Sequence, residues 1–420
     1  PTTDSDTTAE VVTEPAETRL DPNLPDMNLD GYKITFFGKT ATGIYAEEET
    51  GDRVNDSVYA RNRALNEKYN FEVELIAAGN QEFAITEGFQ TVSAGEDAYQ
   101  VLVDGGNRYV QFIQAGLMTD MNTLKYQDFE QPWWYKYLNE GLSLQNRLYM
   151  TASAFMLTTK SQLYGTVINR KLAEDNNVDI AQLYQWGRDG KWTIDRFAEL
   201  TKLGNEDLNG DGVRDYNDQW GLQMEAYCGY ALSLGCGFRI AEKDENDVPY
   251  ISAGTEEAIN IWDRLNSLLF SDHDSVLITQ NIAGVTSTWA TAGEMWAAGR
   301  VLVGMSSPGN SWRDREYDYC VLPAPKLTEE QAQYCHTGSS WNTPLLGVPV
   351  TVVDKDKVSF ILEAMSYTSY YDVLPDFYEN YLQTRLMRDK ESVEMLEIIQ
   401  STPYFDIGAV FTWGDYLGQT

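Results

Sequence analysis

Histidine is nearly missing from this chain: only His273 and His336 occur in 420 residues. A Ser–His–Asp triad or a histidine-based zinc site has little to draw on. Cysteine is scarce as well. Cys228, Cys236, Cys320 and Cys335 form no CxxC pair and stand at no zinc spacing from either histidine. Two disulfides and four buried thiols both fit these positions. Positive charge is short, with 31 Lys+Arg against 64 Asp+Glu and a net charge of −33. Such a surface repels phosphate backbones, which argues against nucleic acid as a partner. No apolar run reaches the ~18 residues that would suggest a membrane-crossing helix. HExxH, GxSxG and a GxGxxG following a strand are all absent. FGKT at 37–40 resembles the end of a phosphate-binding loop, but Lys33 occupies the place of the required upstream glycine. Carboxylate pairs are always available among so many acids, so a glycosidase stays open.

What is present is size and aromatic content. At 43% hydrophobic, 420 residues can bury two cores, and single cores tend to split beyond ~250–300 residues. The 26 Tyr, 15 Phe and 11 Trp supply core area and also suit flat or sugar-like ligands. Residues 1–26 are rich in Thr, Pro, Asp and Glu without apolar periodicity, which predicts a disordered tether.

An alternation follows. Strands are predicted at 33–37, 71–76 and 99–104, separated by helices at 56–69 (capped by Asn55 or Asp56) and 82–93. This order implies a parallel, doubly wound sheet that binds ligands beyond the carboxyl ends of its strands. Lys39 and Thr40 would then lie on one rim segment, and Asp104, Asn107 and Arg108 on another. Further on, helices are expected at 193–203, 255–270, 357–371 and 391–400. Strands are expected at 301–305 and 317–322, with an apolar run at 345–353. In the second helix the apolar stripe is Ile259, Trp262, Leu265 and Leu269.

The motif with the clearest chemistry is DLNGDGVRDYND at 207–218. Calcium wants six to eight oxygens, and loop positions 1, 3, 5, 7, 9 and 12 place them around one point. Here these are Asp207, Asn209, Asp211, the Val213 carbonyl, Asp215 and Asp218, with Gly212 at the bend. A structural Ca2+ is expected; a merely acidic turn is the alternative.

Several segments then resemble one family in collinear order. They are GDRVNDSVYARNRALNEKYNFEVE (51–74), GLMTDMN (116–122), QPWWYKYLNEGLSLQNRLYM (131–150), GKWTIDRFAELTKLGNEDLNGDGVRDYNDQWGL (190–222), YDYCVLPAPKLTEEQAQY (317–334), LEAMSYTSYYDVLPDFYE (362–379) and ESVEMLEIIQ (391–400). They look like the extracellular solute-binding proteins of bacterial sugar ABC importers, relatives of maltose-binding protein. The resemblance implies an α/β, two-lobe periplasmic-binding-protein-like fold with a hinge and an interlobe ligand cleft. Lobe 1 would comprise 27–157 with a returning segment at about 345–385, and lobe 2 would comprise 158–344 with C-terminal helices at about 386–420. The implied function is a non-enzymatic receptor that captures a sugar or oligosaccharide and delivers it to an ABC permease. The implied protein is a monomer on the cell surface, held through an N-terminal lipid on a Cys that this chain does not contain. Carried over by position, the ligand contacts fall on Lys39, Thr40, Asp104, Asn107, Arg108, Gln162, Tyr164, Trp289, Ser306, Ser307, Trp312 and Trp341. Asn107 departs from the carboxylate that such receptors pair with arginine. Trp312 is the first choice for the stacking aromatic; plain packing is the alternative for Trp312, Trp341, Trp289 and Trp296, a structural ion pair is the alternative for Arg108, and Trp133 and Trp134 read as walls. A secreted carbohydrate-active hydrolase with a calcium staple and a surface adhesion module are the alternatives.

Overall fold

The structure, a computed structural model, describes residues 19–38, 42–78, 81–271, 274–281, 285, 287–307, 317–384 and 390–413. In chain order its strands are β1 (Tyr32–Gly38), β2 (Phe71–Ala77), β3 (Val101–Gly105), β4 (Gly165–Asn169), β5 (Trp220–Met224), β6 (Ala241–Lys243), β7 (Pro249–Ile251), β8 (Val276–Ile278), β9 (Val301–Ser306), β10 (Tyr319–Leu322) and β11 (Pro344–Gly347). They form two main sheets and one short hairpin, β6–β7.

The first sheet has the order β11-β3-β1-β2. β1 pairs in parallel with β2 and β3, and the connections between these strands run through helices Arg53–Tyr69 and Gln81–Ser93. Every residue of β3 is buried, as expected of a strand covered on both faces. The apolar run expected at 345–353 is a strand only over Pro344–Gly347, where it joins β3 antiparallel. Pro349 has no N–H for a ladder, and only an isolated bridge to Met118 continues there. The first helix is capped by Asp52, whose side chain accepts from the Val54 and Asn55 amides, rather than by Asn55 or Asp56. Asp56 instead accepts from Thr50 and Gly51 and closes the loop before the helix.

The second sheet has the order β10-β4-β9-β5-β8. β5 runs parallel to β8 and β9, whereas β4 is antiparallel to β9 and β10. Helix Ile194–Thr201 packs on it through Ile194, Phe197, Ala198, Leu200 and Thr201, a helical stripe. Helix Glu256–Asn266 buries Ala258, Ile261 and Leu265, one step round from the expected stripe. Ile259 and Trp262 therefore face outward. The helix expected at 357–371 is Lys355–Thr368, which runs through a π-helical turn, Ser369–Val373, into a further helix, Leu374–Thr384.

Ordered contacts start earlier in the chain than the composition implied. Arg19 pairs with Asp372 at 2.5 Å, the Leu20 amide donates to the Tyr371 hydroxyl, and Leu24 and Met27 pack on the core. All four cysteines are free and buried.

An acid lies in the core beside the first sheet. Glu363 is fully buried and accepts from the indole N–H groups of Trp133 and Trp134 at 2.7 and 2.8 Å. Both tryptophans are therefore walls. Burial outweighs these bonds and pushes the Glu363 carboxyl up to about 7. The native state then holds more protons than the unfolded chain between pH 4.5 and about 7, so this group's contribution to stability falls as pH rises through that window. Glu363→Gln removes the titration. Its melting temperature relative to the parent chain should rise across that window and level off above it; a pH-independent difference would contradict a buried titrating carboxyl.

Candidate functional site

Two of the chain's passages between the sheets are adjacent, antiparallel segments. One leads from helix Leu157–Ser161 into β4; the other leads into β11. Leu163 bridges Gly338, the Tyr164 amide donates to Thr337 O at 2.8 Å, and Thr159 Oγ1 donates to Pro344 O at 2.6 Å. The two strands of chain lie so close that a Cβ at position 338 would sit 2.8 Å from Gln162 O and 2.3 Å from Thr343 Oγ1. Glycine is required there by proximity. Gln162 is half-buried in this crossing.

At the carboxyl end of β3, Asp104 is buried and accepts from the Gly105 amide at 2.7 Å. The Asn107 amide donates to Ser340 O at 3.3 Å, and the Arg108 guanidinium lies 4.3 Å over the Trp341 ring. A side chain at Gly105 would strike the carbonyls of Trp341 and Ser340, so glycine lets the two turns touch. Asp104, Asn107, Arg108 and Trp341 are thus brought into one rim. A recess lined by Phe37, Gly38, Val103, Asp104 and Arg108 opens beside them. Asn107 Oδ1 is buried with no hydrogen-bond partner among the described residues. Lys39 and Thr40, expected on the same rim, lie outside the described residues, as does Trp312.

The second rim follows from strand direction. β5, β8 and β9 are parallel, so their carboxyl ends share one edge, and Gly165 at the start of antiparallel β4 pairs with Ser306 at that edge. Tyr164 and Ser306 therefore meet there. Ser307 is buried, and its hydroxyl has no hydrogen-bond partner among the described residues. Two residues that sequence reasoning missed complete the rim. Glu225 follows β5 half-buried; burial raises its carboxyl, and Thr288 Oγ1 approaches it at 3.5 Å. Tyr227 packs 5.6 Å from the Tyr164 ring and donates to Gly338 O at 2.6 Å. Next to Thr288, Trp289 is 63% exposed, with its ring open to solvent. Trp296 instead is buried and donates to Gln223 Oε1.

Both rims meet on one stretch of chain. Thr337 and Gly338 touch Tyr164 and Tyr227 of the second rim, while Ser340 and Trp341 touch Asn107 and Arg108 of the first. The arrangement brings aromatic faces, a guanidinium, carboxylates and hydroxyls to one stretch of chain. His336 beside it is neutral and structural: its Nε2 accepts from the Ala324 amide at 3.1 Å, and burial lowers it to about 3. His273 lies outside the described residues.

Loop 207–218 sits just before β5. The Asp207 carboxylate accepts from the Gly210 and Gly212 amides, which hold its charge and lower its pKa. Asn209, Asp211 and Asp215 each accept from the amide two residues on. Buried Asp218 accepts from the Leu208 and Asp215 amides, and the Trp220 indole donates to Asp215 O at 2.7 Å. These bonds wind the acids into one turn. Among the described residues no three His, Cys, Asp or Glu side chains are grouped so that they could hold a metal ion.

No family model and no curated protein sequence matches the chain. Solved structures do. An ABC substrate-binding protein from Listeria monocytogenes, in complex with cycloalternan, is 15% identical, with 92% of each chain covered and a TM-score of 0.53. A cyclo/maltodextrin-binding protein complexed with maltotetraose is 14% identical, with 90% of this chain and 86% of that one covered and a TM-score of 0.58. UspC of M. tuberculosis is 14% identical, with 90% and 87% covered and a TM-score of 0.52. The fold is that of the two-lobe substrate-binding proteins. Each sheet with its helices is a lobe of this fold, and the paired crossings run between the lobes.

Proposed function

We propose that this chain is the receptor of an ABC importer, capturing a saccharide between its lobes and delivering it to a membrane permease. The observation that carries this reading is the convergence of both rims on residues 337–341. A ligand seated there touches both lobes at once. The chemistry suits sugars. An aromatic face covers the C–H side of a ring, and planar side chains such as Arg108, Asp104 and Glu225 pair with adjacent hydroxyls. The structural neighbours held with cycloalternan and maltotetraose favour the same ligand class. In this reading the chain is not an enzyme. Lobe 1 is 27–157 with about 345–385, and lobe 2 is 158–344 with about 386–420. The protein works as a monomer outside the cell, anchored through an N-terminal lipid. No helix among the described residues is long and apolar enough to cross a membrane.

A structural Ca2+ in loop 207–218 belongs to the same reading. The ion would have to draw Asp207, Asn209, Asp211, the Val213 carbonyl, Asp215 and Asp218 together, since no three of these acids are grouped to hold a metal in the arrangement described. Carboxylate oxygens that accept an amide proton keep a lone pair for a cation. The ion would offset four carboxylates in one turn and tie the loop to β5.

Maltotetraose, cycloalternan and simple sugars should be screened by thermal shift and calorimetry. At least one should bind reversibly and be recovered unchanged; product formation would overturn the receptor reading. Trp289→Ala should weaken that ligand roughly tenfold, the loss of one aromatic contact, without lowering the ligand-free melting temperature. An unchanged dissociation constant would remove Trp289 from the site. Separately, millimolar calcium should raise the melting temperature of chelator-treated protein, and Asp211→Ala should abolish the rise; no rise in the parent chain would exclude the ion.

A further inference from the structure

Two turns that contribute nothing to either rim meet across the lobes. The first, Leu144–Arg147, follows helix Lys136–Leu142 and stays with the first lobe, where Leu148 N–H donates to Asp120 and its carbonyl accepts from Met121. The second is the tip of the β6–β7 hairpin, which belongs to the second lobe between Phe238 and helix Glu256–Asn266.

Asp247 is the centre of the contact. Its carbonyl accepts from the Gln145 amide at 2.8 Å. Its carboxylate accepts from the Asn146 amide and from the Ser143 hydroxyl, each at 2.8 Å. Lys243 pairs with Asp247 at 3.2 Å and donates to Glu140 O at 2.6 Å and to Ser143 Oγ at 2.8 Å. This ion pair is unlike the chain's surface pairs: its side chains are only 14% and 17% exposed. Screening by water is weak there, and losing one partner strands the other.

Backbone conformation points the same way. Gln145, Asn146 and Asp247 all have positive φ, at 53°, 60° and 58°. None is glycine, and the left-handed region is disfavoured for other residues, less so for Asn and Asp. Such residues persist where surrounding contacts over-determine them. Each turn closes on itself, Leu144 and Arg147 exchanging backbone bonds and the Asp247 amide donating to Asp244 O, and its left-handed residues bring the Gln145 and Asn146 amides onto Asp247.

We propose that this hairpin is an interlobe clasp that sets the angle between the lobes and so tunes ligand affinity from outside the cleft. A two-lobe receptor binds through a closed state, and its apparent affinity scales with how readily that state is reached. Any contact that differs between open and closed arrangements enters that equilibrium. The clasp joins elements about a hundred residues apart, as its bonds between 145–146 and 247 show, and it does so with an ion pair and backbone hydrogen bonds. The effect on affinity rests on the receptor reading; the effect on lobe angle does not.

The test uses the full chain without ligand. Nitroxides are attached to Glu67→Cys in the first lobe and Glu199→Cys in the second, both exposed, while the native cysteines are buried. The interlobe distance distribution is compared among the parent chain, Asp247→Ala and Lys243→Met, with hydrogen exchange followed at the Gln145 and Asn146 amides. The parent chain should protect both amides. Each variant should speed their exchange about tenfold and broaden the distance distribution. Lys243→Met removes the ion pair but keeps the Gln145, Asn146 and Ser143 bonds to Asp247, and serves if Asp247→Ala does not fold. Unprotected amides in the parent chain, or an unchanged distribution once they exchange fast, would overturn the clasp. Titration with maltotetraose, or with whichever saccharide raises the melting temperature, then separates the two claims. A shifted lobe angle with an unchanged dissociation constant would overturn the effect on affinity. If no saccharide binds the parent chain, the receptor reading fails, while the ligand-free distances still decide the clasp.

Discussion

Two lengths of backbone crossing side by side between the sheets govern the rest of this molecule. Leu163 bridges Gly338 in that crossing, Thr159 holds the Pro344 carbonyl, and no side chain fits at 338. The crossing fixes where β4 enters the second sheet and where β11 enters the first. It therefore fixes which ends of the two sheets face each other. It also carries Thr337 to Trp341 past both rims, which is why residues far apart in sequence gather there. A looser crossing would leave two α/β lobes with no defined cleft.

The rims differ in chemistry. The first is polar and held by backbone contacts, with Arg108 laid over Trp341 and Asp104 buried at the strand end. The second is aromatic, with Tyr164 against Tyr227 and Trp289 open to solvent near half-buried Glu225. Charged groups gain strength as water leaves a closing cleft, and stacked rings gain by covering apolar ligand surface. In the receptor reading, each rim alone offers part of a sugar site, and closure would join them.

The first lobe was largely legible in the sequence. Its strands alternate with long amphipathic helices, so period and order both point to a parallel sheet, and Asp104 to Arg108 fall on the rim by strand direction alone. The second lobe was legible only in part: helices Ile194–Thr201 and Glu256–Asn266 and strands Val301–Ser306 and Tyr319–Leu322 stand where expected. GTVIN and WGLQM are five-residue strands without alternation, set among other apolar runs, so β4 and β5 left no periodic signal. Missing β5 meant missing Glu225 and Tyr227, which simply follow it. Ile259 and Trp262 suggested an inward stripe, but the helix turns Ala258 and Ile261 inward instead. The Arg108–Trp341 contact depends on β11 joining β3 antiparallel, which no local pattern encodes. The acidic loop was legible as a motif because its spacing is local, and its bonds to Trp220 were not.

The central claim is that two lobes joined by a paired crossing close over a ligand held at both rims. Small-angle scattering of the full chain, with and without a saturating saccharide that raises its melting temperature, tests it most directly. The account predicts a smaller radius of gyration and a more compact curve in the bound state. Saturated binding with an unchanged scattering curve would contradict it.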